Sequence, residues 1–250
     1  MMQSIYSAVS AMKAQQTRLD TIAVNLANVN QNGYKAKRVD FKDALYTAMS
    51  SPVAADNGGN LLKGTGAVVG ATATNFGAGA RVATGKPLDV AIAGKGFFTV
   101  QGSDGGTYYT RGGNFDVSVE GDLRYLVTAS GNYVLDAAGQ RIALPPNTVP
   151  AISPDGVITA GGRQIAVLGL VQFQNEAGLL AQGNGLFAQS PASGAPRAAV
   201  SELVQGSVEG SNVELSQELT LLIRTQRAYS LASKALQTAD DMDGLANHLR

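Results

Sequence analysis

Apolar residues recur in steps of three and four near the start of the chain: Ile5, Ala8, Met12, Gln15, Leu19, Ile22, Leu26 and Val29. Such spacing keeps one face of a helix apolar and follows the heptad rhythm of helices that pair. It predicts a helix from about Ser4 to Val29, roughly 38 Å long at about 1.5 Å per residue. The segment Asn30 to Gly33 is its expected exit, because Asn and Gly tolerate the left-handed backbone that ends helices. A second stripe runs through Leu215, Leu219, Leu222, Gln226, Tyr229, Ala232, Leu236, Ala239, Met242, Ala246 and Leu249. Ser211 and Glu214 precede it in the spacing of a capping box. Gly244 is its weak point. Gln15 and Gln226 are the polar members of the two stripes, and each either fixes register or sits at a stripe edge.

Between the stripes the rhythm changes. Residues 50–70, SSPVAADNGGNLLKGTGAVVG, are rich in turn formers and read as a connector. From Phe76 the period is that of strands. LDVAIAGKGFFTVQ, TYYTRGGNFDVSV, DLRYLVTASGNYVLD, QRIAL and GRQIAVLGLVQF are each bounded by Gly, Asn or Asp. Pro154-Asp155-Gly156 between two short alternating runs predicts a hairpin. The expected fold class is α+β: N- and C-terminal coiled-coil-forming helices flanking a mainly antiparallel β domain. The expected division is residues 1–33 with 207–250 as the terminal helical domain, 34–75 as connector and 76–206 as the β-rich domain.

Charge links the two ends. Residues 1–42 carry about four net positive charges and residues 202–250 about three net negative ones. Opposite sign and matching apolar stripes predict that the ends associate, within a chain or between chains. Alone, two stripes of small residues bury too little to offset about 1–2 kcal/mol of ordering per residue, so the terminal segments are expected to order on assembly. The whole chain is balanced, 19 basic against 19 acidic residues, which argues against a nucleic-acid partner. With no cysteine in its 250 residues it has neither disulfide nor thiolate chemistry. Residues 1–16 lack a basic region followed by an apolar run, so no secretory signal is expected, and no apolar stretch is long enough to span a bilayer as a helix.

Candidate chemistry is thin. GKGFF and the Thr84-Gly85-Lys86 stretch lack the glycine spacing and hydroxyl of a phosphate loop. Gly64 to Gly70 misses the dinucleotide spacing and has no βαβ context. The only histidine, His248, stands near the chain end. No catalytic residue, metal, cofactor or small-molecule substrate is expected.

The stretch NLANVNQNGYKAKRVDF from Asn25 resembles the signature of flagellar axial proteins, the rod and hook subunits of the bacterial flagellum. LDVAIAGKGFFTVQ and TYYTRGGNFDVS are similar to the middle segment of that family. GSVEGSNVELSQELTLLIRTQRAYSLASKALQTADDM, from Gly206, is similar to its C-terminal helix. Chain length favours a rod subunit over the longer hook subunits. The resemblance implies export without a cleaved signal through the flagellar type III apparatus, and helical polymerisation into a hollow shaft in the basal body, across the inner membrane in the periplasm or envelope. It implies as partners further copies of the chain, other rod and hook proteins, the export apparatus and ring proteins around the rod. Its terminal helices would line the polymer core as coiled coils. Ile5, Met12, Leu19, Ile22, Leu26 and Val29 would make the contacts on the first, and Leu215, Leu219, Leu222, Tyr229, Leu236 and Met242 on the second. Asn25, Ala27, Asn28, Gly33, Tyr34 and Lys35 match the N-terminal motif. Phe41 and Leu45 match an export-gate motif, or are an i,i+4 apolar pair on a short helix. On this view Asn30 to Gly33 turns the chain outward, and the basic run from Lys35 to Arg38 meets carboxylates of a neighbour. Two other classes compete. An enzyme would show a ligand-protectable pocket, and a coiled-coil adaptor would order its ends only with a different partner.

Overall fold

The computed structural model describes residues 2–44, 46–48, 62–64, 66–121, 123–146 and 148–248. Helix α1 spans Met2–Ala27 and helix α2 spans Leu215–His248, with every strand between them. The fold is therefore α+β, helix then mainly antiparallel β then helix. α1 contains neither Gly nor Pro and runs unbroken until the Asn-rich segment that follows. It stops two residues short of Val29, and Gln31 N donates to Asn28 O at 3.1 Å as the chain turns. Gly33 completes the turn with φ +69°.

The start of α2 differs from the sequence expectation. The helix begins at Leu215, so Ser211 lies outside its first turn and its hydroxyl accepts from Val213 N at 3.3 Å. Glu214 stands immediately before the helix. Its carbonyl accepts from Glu218 N at 3.0 Å, and its carboxylate accepts from the hydroxyl of Ser216 and the side-chain amide of Gln217. A carboxylate at a helix N-terminus also meets the positive end of the helix dipole.

The described residues fall into two compact units. One draws on 1–27, 37–74 and 214–250. In it α1 packs along α2 and also against a two-stranded antiparallel ribbon, Lys37–Asp43 paired with Ala67–Thr74. The ribbon's register breaks between Asp40 and Phe41. A further strand pair joins Tyr46–Ala48 to Leu62–Gly64.

The other unit draws on 28–36 and 75–213. Its largest sheet has ten strands, centred on Phe97–Gln101, which pairs with Thr107–Thr110 on one side and Tyr133–Val134 on the other. Alternation along a strand sends neighbouring side chains to opposite faces. Phe97 and Phe98 are both fully buried, yet they enter different cores. Phe98 and Val100 join an aliphatic cluster with Val90, Leu126, Ile142 and Ile158. Phe97 joins an aromatic cluster with Tyr109, Phe173 and Phe187, meeting Phe76 edge-on with ring centroids 5.6 Å apart. Pro154-Asp155-Gly156 links Ala151–Ile152 to Val157–Ala160 in an antiparallel hairpin, as its turn chemistry predicts. Two short pairs bring distant segments together: Val90–Ala93 with Glu202–Gln205, and Arg81–Ala83 with Ser207–Glu209.

Candidate assembly surface and a buried ion cluster

The two terminal helices find each other within one chain, as their complementary stripes suggest. On α1 the most buried positions are Ala8, Ala14, Ile22 and Asn25. Ile5, Met12, Leu19 and Leu26 are half-buried, and Val29 is half-buried in the turn that follows. On α2 the covered positions include Glu218, Leu222, Thr225, Tyr229, Ala232, Leu236 and Ala239, in steps of four and three, with Leu221, Ala228 and Ser233 half-buried beside them. Thr225, not Gln226, is the buried residue, and its hydroxyl donates to Leu221 O at 2.7 Å.

Several members of the sequence-derived stripe lie off this seam. Leu215 is 47% exposed, Leu219 41%, and Met242 is exposed as well. Steps of four residues walk about 40° around a helix of 3.6 residues per turn. Leu215, Leu219 and Ile223 therefore leave the seam and form a second apolar row, while exposed Leu245, Leu231 and Met242 lie further around the helix.

Asn25, from the N-terminal motif, is buried and joins three elements. Its amide nitrogen donates to Lys37 O at 2.7 Å and to Glu218 Oε1 at 3.0 Å, while its oxygen accepts from Lys37 N at 2.9 Å. One side chain thus ties α1 to the start of the ribbon and the first turn of α2. Ala27 is exposed, Asn28 supplies the carbonyl of the turn, and Tyr34 is buried.

Lys35 corrects one expectation. It is only 2% exposed, so its ammonium cannot meet a neighbour's carboxylate. Its partner is Glu209 of the same chain, with Nζ 2.6 Å from Oε1. Arg111 approaches the other carboxylate oxygen, Nη1 to Oε2 at 3.2 Å. Glu209 and Arg111 are each 4% exposed. Lys35 Nζ also donates to Gly77 O at 2.8 Å, Gly79 N donates to Glu209 Oε1 at 2.8 Å, and Arg111 Nη2 donates to Gly94 O at 2.8 Å. The guanidinium lies over the Phe97 ring, 5.5 Å from its centroid. Arg38, further along the basic run, pairs with Asp40 on the surface at 3.3 Å.

Burial pushes the Lys35 ammonium below its ordinary pKa of 10.5; the Glu209 hydrogen bond and charge oppose this, and the Arg111 charge adds to it. A lysine depressed on folding binds its proton more tightly when unfolded, so its contribution to stability rises with pH between the folded and unfolded values. Lys35→Met removes the titration. The wild type should gain stability relative to this variant as pH rises toward the ordinary lysine value of 10.5, by denaturant melts at each pH. A pH-independent difference would mean that burial does not strain the ammonium.

Phe41 lies in the strand Lys37–Asp43, with the Arg18 guanidinium 5.4 Å from its ring centroid. The strand removes the i,i+4 helical explanation for the Phe41–Leu45 spacing; Leu45 lies outside the described residues. Arg111 and Glu209 stand inside the family-like stretches, but no spacing in the sequence marked them as partners of Lys35. Their proximity is spatial, and along the sequence Glu209 reads as one more terminal acid.

Among the described residues this ion cluster is satisfied largely from within the chain. Three family models match: "Flagella basal body rod protein" over residues 5–35, "Flagellar hook protein FlgE/F/G D1 domain" over 91–160, and "Flagellar basal body rod FlgEFG protein C-terminal" over 204–249. The chain is 35% identical to the flagellar basal-body rod protein FlgG of Agrobacterium fabrum, over 98% of each chain. It is 37% identical to FlgG of Bacillus subtilis over 97% of each, and 31% identical to FlgF of Caulobacter vibrioides over 96% of this chain and 94% of that one. The chain belongs to the flagellar basal-body rod protein family, and it is a structural rod subunit.

Proposed function

We propose that the chain is a distal rod subunit that polymerises helically into the drive shaft through its terminal helices. The observation that carries this reading is the second apolar face of α2. One face of that helix is covered by α1, while Leu215, Leu219 and Ile223 form an exposed apolar row beside it and Leu231, Met242 and Leu245 are exposed further around the helix. An exposed apolar row beside a packed helical seam suits association with further helices. Helices of neighbouring copies would cover it and form the coiled-coil core. The long matches to proteins named FlgG support a distal position, and the FlgF match makes the proximal rod the second reading. The subunit acts without enzymatic activity, small-molecule substrate or nucleic acid. Its further partners are the export apparatus that delivers it beyond the inner membrane and rings around the shaft.

Labelled antibody against a tagged, functional copy in isolated basal bodies tests the placement. Label on the hook-side part of the rod is expected. Label confined to the inner-membrane end would select the proximal reading, and label outside the shaft would remove both. Export through Phe41 and Leu45 is a separate claim, motivated by their motif spacing. Phe41→Ala with Leu45→Ala should lower secretion while the purified variant still polymerises, and undiminished secretion would refute it.

A further inference from the structure

Three segments far apart in the chain meet at one carboxylate. Lys35 stands in residues 28–36, which follow α1, and Glu209 in residues 207–213, which precede α2. Arg111 follows the strand Thr107–Thr110 of the central sheet. Two buried cations share a single buried anion, at 2.6 and 3.2 Å. Main-chain and neutral contacts follow the same plan. Glu209 O accepts from Gly33 N at 2.7 Å. Asn212 Oδ1 accepts from Ala36 N at 2.7 Å, and its Nδ2 donates to the carbonyls of Asn75 and Gly77, at 2.8 and 2.9 Å. The Gly77 carbonyl is also the second acceptor of Lys35 Nζ.

We infer that Glu209 is a counter-ion latch, whose carboxylate fastens the segment leaving α1 and the segment entering α2 to the β body as one unit. The charge count makes the latch conditional. With Glu209 in place the cluster carries two positive charges and one negative. Without its carboxylate, Lys35 and Arg111 face each other in a low-dielectric site with no anion between them, and among the described residues Glu176 is the further acid whose charge acts on Lys35. An uncompensated buried charge is far more costly than a missing pair, so losing the anion should expel both segments rather than one. The role is one of positioning: the cluster sets where the two leads to the helices are held.

Hydrogen–deuterium exchange on the full chain tests it. In Glu209→Gln, amides of both 28–36 and 207–213 should exchange at least about tenfold faster, while the sheet strands Phe97–Gln101 and Leu123–Thr128 stay within about twofold. Adding Lys35→Met to that variant removes one of the two opposed cations and should restore part of the protection in both segments. A packing role would make the double variant worse than the single one. Acceleration of only one segment, equal loosening of the sheet, or a double variant that exchanges faster still would each overturn the latch. If Glu209→Gln does not fold, Lys35→Met alone decides. Arg111 then still neutralises Glu209, so 28–36 should loosen while 207–213 stays within about twofold. Equal loosening of both segments in that variant would overturn the latch too.

Discussion

Leu219→Asp combined with Ile223→Asp should raise the concentration needed for polymerisation by more than about a hundredfold, with little change to the monomer. Leu219 is 41% exposed and Ile223 is 52% exposed, so neither completes the packing of α1 on α2. Fully burying a Leu or Ile contributes about 1.5–3 kcal/mol, and covering the part still exposed is worth about 1 kcal/mol for each. A carboxylate carried into an apolar contact adds a desolvation penalty of several kcal/mol. Since about 1.4 kcal/mol is tenfold in an equilibrium constant, two such changes exceed two decades. The unit built on residues 28–36 and 75–213 contains neither position, so its thermal transition should stay within a few degrees. Sedimentation at rising concentration and calorimetry of the same samples supply both readouts. Normal assembly would show that this face is not the polymer contact. An early melt of the β-containing unit would show that α2 supports that unit, and the separation drawn here would fail.

Gly33→Ala should cost more than about 3 kcal/mol, enough to lower the melting temperature of the β-containing unit by roughly 10 °C. Two independent penalties add. The backbone is left-handed, φ +69°, which disfavours any side chain by about 1 kcal/mol. A Cβ would also stand 2.3 Å from Gly112 N and 2.6 Å from Arg111 C, both backbone atoms that cannot swing aside. Moving the turn away would stretch the bond from Gly33 N to Glu209 O, 2.7 Å long, and so reach the ion cluster. Gly139→Ala separates the two penalties. Its φ is +80°, but nothing lies within 4 Å of the added carbon, so only the conformational cost of about 1 kcal/mol applies. Equal losses at the two sites would mean that the close approach at Gly33 has no energetic weight.

Much of the architecture was legible in the order of residues. Steps of three and four from Ile5 to Leu26, without Gly or Pro, leave little alternative to a helix, and α1 is that helix. Pro154-Asp155-Gly156 carries its own turn geometry, so the hairpin it makes is a local consequence. The Asn-rich exit and Gly33 are local in the same sense. The family motifs are also linear strings, which is why the kinship to rod and hook proteins could be read before any fold was known.

Tertiary structure decided what depends on meetings across the chain. Lys35 and Glu209 stand 174 positions apart, and no period or motif announces that one basic residue in a run of three is buried while Arg38 stays at the surface. Strand pairing of Arg81–Ala83 with Ser207–Glu209 carries Glu209 to that site. Within residues 34–75, turn-rich composition concealed the ribbon of Lys37–Asp43 and Ala67–Thr74, because its partners flank a long intervening segment. Along α2, apolar spacing marked two faces as one. A real helix turns at 3.6 residues, so a stripe averaging about 3.4 drifts around it. Only the position of α1 selects Thr225 for the seam and leaves Leu215 and Leu219 outside it. Periodicity fixes which residues can share a face; the neighbour packed against the helix determines which face is covered.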